Sequence, residues 1–391
     1  MIQRNDRHTG VSEVVGGKPA RQGRFGHPRR VAGWRLRAAA VLAALLTGAF
    51  LVPFDAAAQG WSPPWLVSDA LPISADPALA VTPDGTLHAV WEDDFLGSPR
   101  IIYASKPVGG DWSIPLTDIS GVTTGTPGRP DIAATPNGAV HVLWHVDAGG
   151  GSFDVWYATK PAGGSWSTPV QITTGGESAD PSLVAGSDGS LHALTTFFAA
   201  GVRYLRKPVG GSWTPEKTFL PVSGSAIGLP SLAIGSGGSL YGVWLEFRSP
   251  NWSVVFVEKP AGGVWGAQVT LADAVDVACP PEPVGCGPKI AVSPAGSPDA
   301  GRLHVVWQEL VGSQRDIFYR TRPPGTTTWG ARANISLTDL DDSIDPSVAA
   351  GGDGSIHVVW QEGSGARGGQ GTGVRLRWLL SEAIHRPQRH P

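Results

Sequence analysis

One short segment recurs through most of this chain, and the recurrence limits the fold more than any bulk property does. It reads Asp76-Pro-Ala-Leu-Ala-Val-Thr-Pro-Asp-Gly-Thr-Leu-His88 at its first appearance. It returns as Asp180-Pro-Ser-Leu-Val-Ala-Gly-Ser-Asp-Gly-Ser-Leu-His192 and as Asp345-Pro-Ser-Val-Ala-Ala-Gly-Gly-Asp-Gly-Ser-Ile-His357. The anchor position falls at His88, His141, His192, Tyr241, His304 and His357, with gaps of 53, 51, 49, 63 and 53 residues. A fixed period of that size marks a stack of supersecondary units that bury their faces against one another.

Each unit parses into four short strands. The first is small and apolar, as in Leu79-Ala80-Val81. An Asp-Gly or Asn-Gly turn follows, at Asp84-Gly85, Asn137-Gly138, Asp188-Gly189 and Asp353-Gly354, which is a strong hairpin signal. The second strand carries His-x-x-Trp and the third an aromatic pair such as Trp156-Tyr157. A Lys-Pro-x-Gly-Gly turn leads to the fourth, placed at Trp112, Trp166, Trp213, Trp265 and Trp329. Four strands per unit and radial packing of six units predict an all-β, six-bladed β-propeller of four-stranded antiparallel blades over residues 59–380. The isolated Trp61-Ser-Pro-Pro supplies the missing outer strand of the last blade, so the ring is closed by the N-terminal strand. Val374-Arg-Leu-Arg-Trp-Leu-Leu fits a third strand of the last unit, and residues 381–391 read as a disordered basic tail.

The first 58 residues have another character. Arg29, Arg30, Arg35 and Arg37 flank an apolar run from Ala38 to Phe54, followed by Ala56-Ala57-Ala58. This is the pattern of a cleaved export signal, with an N-terminal membrane anchor as the alternative. A secreted or periplasmic bacterial protein is expected, with no stable membrane insertion after cleavage. Residues 1–58 hold nine Lys/Arg and three Asp/Glu, leaving 21 basic and 30 acidic side chains and a net charge of −9. Nucleic acid wants a basic face, and it is excluded as a partner. Cys279 and Cys286 flank a Pro-rich loop, and in an exported chain their local disulfide is expected.

The turn before the fourth strand reads Ser105-Lys-Pro-Val-Gly-Gly-Asp-Trp112 and Thr159-Lys-Pro-Ala-Gly-Gly-Ser-Trp166. It resembles, in degenerate form, the Ser-x-Asp-x-Gly-x-Thr-Trp box of the sialidase-like propeller superfamily, the proteins with bacterial neuraminidase repeats. The resemblance spans most of residues 59–380 and implies architecture first. It also implies three arginines for a substrate carboxylate, a Tyr–Glu nucleophile pair and an Asp acid. Only Arg129 stands at the start of a first strand; the other copies hold Asp76, Asp180, Leu229, Gly287 and Asp345. Tyr103, Tyr157, Tyr204 and Tyr319 sit at the third-strand repeat position and Tyr241 replaces a repeat histidine. The sialidase catalytic set is therefore not recognisable, no catalytic residue is assigned, and the balance leans against an enzyme while leaving one open.

What remains is a ligand-binding module for a glycan or a protein, monomeric, with no cofactor and no metal. The alternatives are a glycoside hydrolase or lyase using rim carboxylates, and a scaffold with no small ligand. Candidate ligand-binding residues are Asp76, Arg129, Asp131, Asp180 and Asp345 at one mouth of the channel, and Phe247, Arg248 and Trp252 in a loop of the fourth unit. Glu92, Asp93, Asp94, Asp147, Glu246, Glu309 and Glu362 at second-strand ends would complete an acidic rim. A repeated Asp-Pro equally well caps a turn that every unit needs. The histidines are expected to be structural, because equivalents on second strands lie on the order of 10 Å apart, too far to share a metal. Departures from the repeat are the better functional signal: Arg129, the loop of Phe247 to Trp252, and Thr195-Thr-Phe-Phe198, where the third unit loses its tryptophan.

Overall fold

Every His-x-x-Trp segment folds as the second strand of an antiparallel sheet, flanked by the small apolar strand before it and the aromatic strand after it. The computed structural model describes residues 74–94, 98–121, 125–198, 200–221, 226–248, 250–275, 287–336, 342–363 and 375–380. Blade 1 comprises β1 (Ser74–Val81), β2 (Leu87–Asp93), β3 (Arg100–Lys106) and β4 (Thr117–Asp118). Blade 2 comprises β5 (Thr126–Ala134), β6 (Val140–Asp147), β7 (Phe153–Lys160) and β8 (Val170–Gln171). Blade 3 comprises β9 (Ser178–Ala185), β10 (Leu191–Phe197), β11 (Gly201–Lys207) and β12 (Thr214–Phe219). Blade 4 comprises β13 (Ala226–Ile234), β14 (Leu240–Arg248), β15 (Asn251–Lys259) and β16 (Val269–Val275). Blade 5 comprises β17 (Lys289–Val292), β18 (Leu303–Val311), β19 (Gln314–Arg322) and β20 (Ala333–Asn334).

The repeat count predicts six complete four-stranded blades, and here the structure corrects it. Five such blades form among the described residues. The last repeat gives a three-stranded sheet, β21 (Asp342–Ala350), β22 (Ile356–Gly363) and β23 (Arg375–Leu380). Its third strand falls where the Val374–Leu380 pattern placed it. The closing segment at Trp61, the export segment 1–58, the tail 381–391 and the cysteine loop with Cys279 and Cys286 all lie outside the described residues. No helix among the described residues is long and apolar enough to cross a membrane.

A second correction concerns the outer strands. They begin several residues after the tryptophans that mark them, at Thr117, Val170, Val269 and Ala333, and one residue after Trp213 at Thr214. After Trp112 and Trp166 a single ladder bond forms, Ser113 N–H to Ser105 O and Ser167 N–H to Thr159 O. Pro115 and Pro169 then interrupt the edge, because proline brings no N–H to a ladder. With or without that proline, the tryptophans lean out of their own sheet. Trp166 of blade 2 meets Tyr103 of blade 1 edge-to-face at 4.9 Å. Trp213 meets Tyr157 at 5.7 Å, Trp265 meets Tyr204 at 5.1 Å, and Trp329 meets Phe256 at 5.1 Å.

Behind each tyrosine stands a histidine. His88, His141, His192 and His304 place Nδ1 at 2.7, 2.8, 2.6 and 2.7 Å from the hydroxyls of Tyr103, Tyr157, Tyr204 and Tyr319. Their Nε2 atoms meet the hydroxyls of Thr82, Thr135, Ser190 and Ser293. Burial lowers the pKa of His141 and His192 to about 4, with nearby lysine or arginine charge adding to the effect. These imidazoles are structural struts, each held between two hydroxyls. Blade 4 makes two changes together: Tyr241 replaces the histidine and stacks at 6.4 Å on Phe256, which replaces the tyrosine.

That natural exchange makes a test. His192→Tyr and Tyr204→Phe are each expected to cost about 1–3 kcal/mol, because each leaves one buried polar group short of its partner. The double variant reproduces the blade 4 pair and is expected to recover at least ~1 kcal/mol relative to the sum. Urea unfolding of the four proteins measures the coupling; strictly additive losses would refute it.

Candidate functional site

The inner ends of the first strands share one backbone device. In five blades the ladder between first and second strands slips, with an X-Pro pair set opposite a single second-strand residue. Asp76-Pro77 faces Trp91, Arg129-Pro130 faces Trp144, Asp180-Pro181 faces Thr195, Leu229-Pro230 faces Trp244 and Asp345-Pro346 faces Trp360. This is a β-bulge, and proline is tolerated there because a bulge leaves its N–H without a ladder partner. The residue before each proline has positive φ: 48° at Asp76, 49° at Arg129, 50° at Asp180, 56° at Leu229 and 54° at Asp345. Left-handed backbone is uncommon for any side chain and a true outlier for leucine. A residue before proline also prefers extended backbone, so the strain is doubled. Each such position costs about 1–3 kcal/mol and persists only where neighbours over-determine it.

The neighbour in question is the residue after the second-strand tryptophan of the preceding blade. His145 Nδ1 accepts the Asp180 N–H at 3.3 Å, Thr196 Oγ1 that of Leu229 at 3.2 Å, and Gln308 Oε1 that of Asp345 at 3.0 Å. The Glu92 carboxylate accepts the Arg129 N–H in the same way. Blade 4 has Leu245 at this place, which has nothing to accept with. The copy that follows is Gly287-Pro288, and Gly287 is not among the left-handed residues. The two exceptions coincide.

The side chains so presented form one electrostatic group. Arg129 Nη1 lies 2.8 Å from Asp180 Oδ1, and Thr196 Oγ1 donates to Asp180 Oδ2 at 3.0 Å. His145 Nδ1 is 3.7 Å from the same Asp180 Oδ1; burial holds its pKa below the ordinary value, so it accepts as a neutral ring. Burial raises the Asp345 pKa to about 6, with the Asp76 carboxylate raising it further and Lys289, Arg129 and Arg315 opposing. Burial and Asp76 also push Glu92 up, against the Arg129 amide and charge. The expected Asp76, Arg129, Asp180 and Asp345 therefore do converge. Glu92, which the sequence places on the acidic rim, belongs with them, as do His145, Thr196 and Lys289, which the sequence reading does not single out as binding groups. The signal was present in the first three, which vary at one repeat position around the ring.

Other expected residues go elsewhere. Asp131 stitches blades together: its carboxylate accepts the Leu183 N–H of blade 3 at 2.7 Å and its neighbour Ile132 N–H at 2.8 Å. Ser182 and Ser231 do the same for Leu232 and Ile290. Burial pushes the Asp131 carboxyl up, and the two amides oppose it. Arg248 pairs with Glu246 at 3.1 Å and Asp273 at 3.7 Å, while Phe247 and Trp252 are cross-strand neighbours at 5.2 Å. Asp93 and Glu309 are buried and accept the indole N–H groups of Trp91 and Trp307. At these two strand ends the expected acidic rim is thus structural, the acid satisfying the N–H of the tryptophan two residues before it, and Glu246 is buried against Arg248. The side chain of Glu362 lies outside the described residues.

At the other ends of the first strands lies a cavity of about 490 Å³. Its lining includes Thr82, Thr135 and Ser293, whose hydroxyls are committed to the histidine struts, and it holds no charged group. The charged groups sit at the bulged mouth instead. No cluster of three or more His, Cys, Asp or Glu with metal-binding geometry occurs among the described residues.

No family model and no curated protein matches this chain. Solved structures do. A Hadza microbial sialidase is 16% identical with a TM-score of 0.54, over 79% of this chain and 66% of that one. The chain thus spans just under two thirds of that sialidase. The intramolecular trans-sialidase of Ruminococcus gnavus is 10% identical, TM-score 0.54, over 78% and 94%. The α-L-arabinanase of Penicillium chrysogenum, solved with arabinobiose, is 16% identical, TM-score 0.51, over 82% and 96%. At such identities the likeness shows the β-propeller fold alone.

The Asp345 environment gives a pH test. Its folded pKa of about 6 lies above the ordinary carboxylate value, so the native state holds this proton more tightly than the unfolded chain. The stability penalty is absent at low pH, grows as pH rises from about 4 to about 6, and is full above that. Asp345→Asn keeps a side chain that tolerates left-handed backbone. It is expected to stabilise the protein by about 1–3 kcal/mol at pH 8 and to be neutral near pH 4. Denaturant titrations at the two pH values measure this; equal effects at both would contradict the assignment.

Proposed function

We propose that this protein is an exported, non-catalytic glycan-binding propeller that holds its ligand at the bulged mouth of the channel. The observation that carries the reading is the strained inner ring. Identical backbone bulges recur in five blades, but the side chains they present are Asp, Arg, Asp, Leu and Asp. Geometry that repeats serves the fold. Chemistry that varies around it builds one asymmetric site of donors and acceptors, which suits sugar hydroxyls. Similarity in fold to glycan-processing propellers supports the ligand class, and the lone Arg129 speaks against the three-arginine grip of a sialidase.

A second reading has its own support. Burial raises the Asp345 pKa to about 6 and pushes the Glu92 carboxyl above its ordinary value, with the Asp76 carboxylate adding to both shifts. A glycosidase needs a raised acid beside a second carboxyl, and this group holds such pairs.

Glycan-array binding with Arg129→Ala and Asp180→Asn separates these readings. The lead reading expects array binding weakened at least ten-fold by either variant, with no reducing sugar released from bound glycans. Turnover abolished by Asp345→Asn or Glu92→Gln would transfer the case to hydrolysis. Silence across all glycans would leave a protein ligand or a scaffold.

The same reading includes a closed six-bladed ring. Leu79 is 66% exposed and Val81 57%. Their repeat equivalents, Ile132 and Ile234, pack on the preceding blade. A fourth strand from Trp61 would complete the last blade and help to cover them, and a Cys279–Cys286 disulfide would staple the long loop before blade 5. Protein recovered from culture medium is expected to begin near Gln59, to resist thiol alkylation until reduced, and to lose thermal stability when residues 59–66 are deleted. An intact residue 1–58 segment, free thiols or an unchanged melting temperature would each remove the corresponding element.

A further inference from the structure

Three departures from the repeat meet at the junction between blades 2 and 3. There the axial pair is Arg129–Asp180, the second-strand position holds His145, and blade 3 has Thr195-Thr-Phe-Phe198 in place of a tryptophan strand end. An aromatic wall starts at this pair and runs outward. The His145 ring, 3.7 Å from Asp180, meets Phe153 edge-to-face at 5.1 Å. Phe153 in turn meets Phe198 at 5.6 Å. Phe198 is 54% exposed, although phenylalanine gains most from burial.

This wall is held rigidly. Phe153 donates its N–H to Gly176 O at 2.9 Å, and Phe198 donates its N–H to Glu177 O at 2.9 Å. One loop between the blades thus fixes both aromatic backbones. Gly175 and Gly176 enable it, with φ of 104° and 72°, and a Cβ on Gly176 would collide with the Ser152 side chain. Beneath, the Arg203 guanidinium stacks on Phe197 at 3.5 Å. A preorganised apolar face beside fixed polar groups binds with little ordering cost.

We propose that this junction is an oligosaccharide subsite for neutral sugars. A terminal residue hydrogen-bonds the Arg129–Asp180 pair, and the next residue stacks its C–H face on Phe198 and Phe153. The assignment rests on the glycan-binding reading above. Charge selects the class. The carboxyls of Asp76, Glu92, Asp180 and Asp345 outnumber Arg129, Lys289 and Arg315 in this group. An acidic sugar would enter against that field, and Arg129 is already paired to Asp180. A neutral vicinal diol instead takes a hydrogen bond from the guanidinium and gives one to the carboxylate. Two ring-to-ring steps separate Asp180 from Phe198, so the site is longer than one sugar.

The test uses the full chain on an array of neutral arabino-, galacto- and gluco-oligosaccharides beside sialylated glycans. Calorimetric titration of the best disaccharide and its parent methyl glycoside follows. Neutral glycans are expected to bind and sialylated ones to fail. Phe198→Ala is expected to weaken the disaccharide at least ten-fold and the methyl glycoside less than three-fold, with an unchanged melting temperature. Val264→Ser, at an 83% exposed turn, is the control and should bind as the parent does. Preference for sialylated glycans would overturn the neutral-sugar assignment. Neutral binding that Phe198→Ala leaves intact would remove the aromatic subsite but keep the glycan reading. Absence of all glycan binding would remove both.

Discussion

The hydrogen bond that crosses from one blade to the left-handed residue of the next underlies the arrangement of the channel. A residue before proline with positive φ is unfavourable alone, and five of them together cost about as much as a typical domain's whole margin. At four of the five the N–H freed by the bulge is taken up by the neighbouring blade. Glu92, His145, Thr196 and Gln308 accept from Arg129, Asp180, Leu229 and Asp345. Where the acceptor becomes Leu245, the following copy becomes Gly287 and the left-handed residue is gone. The agreement of those two exceptions ties the strained backbone to the cross-blade bond.

A second set of contacts keeps the blades in register farther from the axis. The tryptophan ahead of an outer strand leans on the tyrosine of the blade before it, and that tyrosine is held by a histidine. The side chains nearer the axis are stitched too, with Asp131, Ser182 and Ser231 accepting amides from adjacent blades. Most conspicuous polar residues of the repeat are consumed in these roles. A buried polar group must find a partner, and in a repeat protein that partner is commonly the next repeat.

Function then has to reside in what the repeat does not dictate. The bulged mouth offers Asp, Arg, Asp, Leu and Asp on one backbone template, and the wall of His145, Phe153 and Phe198 exists at one junction. A rigid ring suits this division of labour, since it fixes a binding surface while single positions change. Fold likeness to sialidases and an arabinanase describes the ring; the composition of the mouth is this chain's own.

The sequence by itself determined the blade. Period, Asp-Gly turns, His-x-x-Trp and the aromatic third strand are local or within one unit, so strand order, hairpins and even the third strand of the last repeat could be read directly. The structural role of the histidines also followed, from spacing alone. Outer-strand starts differ because each tryptophan segment looks like a strand, whereas the indole leaves its sheet to pack on another blade; in blades 1 and 2 a proline also interrupts the edge. Asp76, Arg129, Asp180 and Asp345 were legible as a group because they share one repeat position. Asp131 was not separable from them: it stands two residues after Arg129, and a bulge sends one toward the axis and the other into the next blade. Only the tertiary structure decided that, as it decided the burial of Asp93, Glu246 and Glu309 and the meeting of Phe153 with Phe198. These contacts join different blades or different strands. Their residues are 45 positions apart in the case of the two phenylalanines, and no local pattern encodes a contact made only when the ring packs.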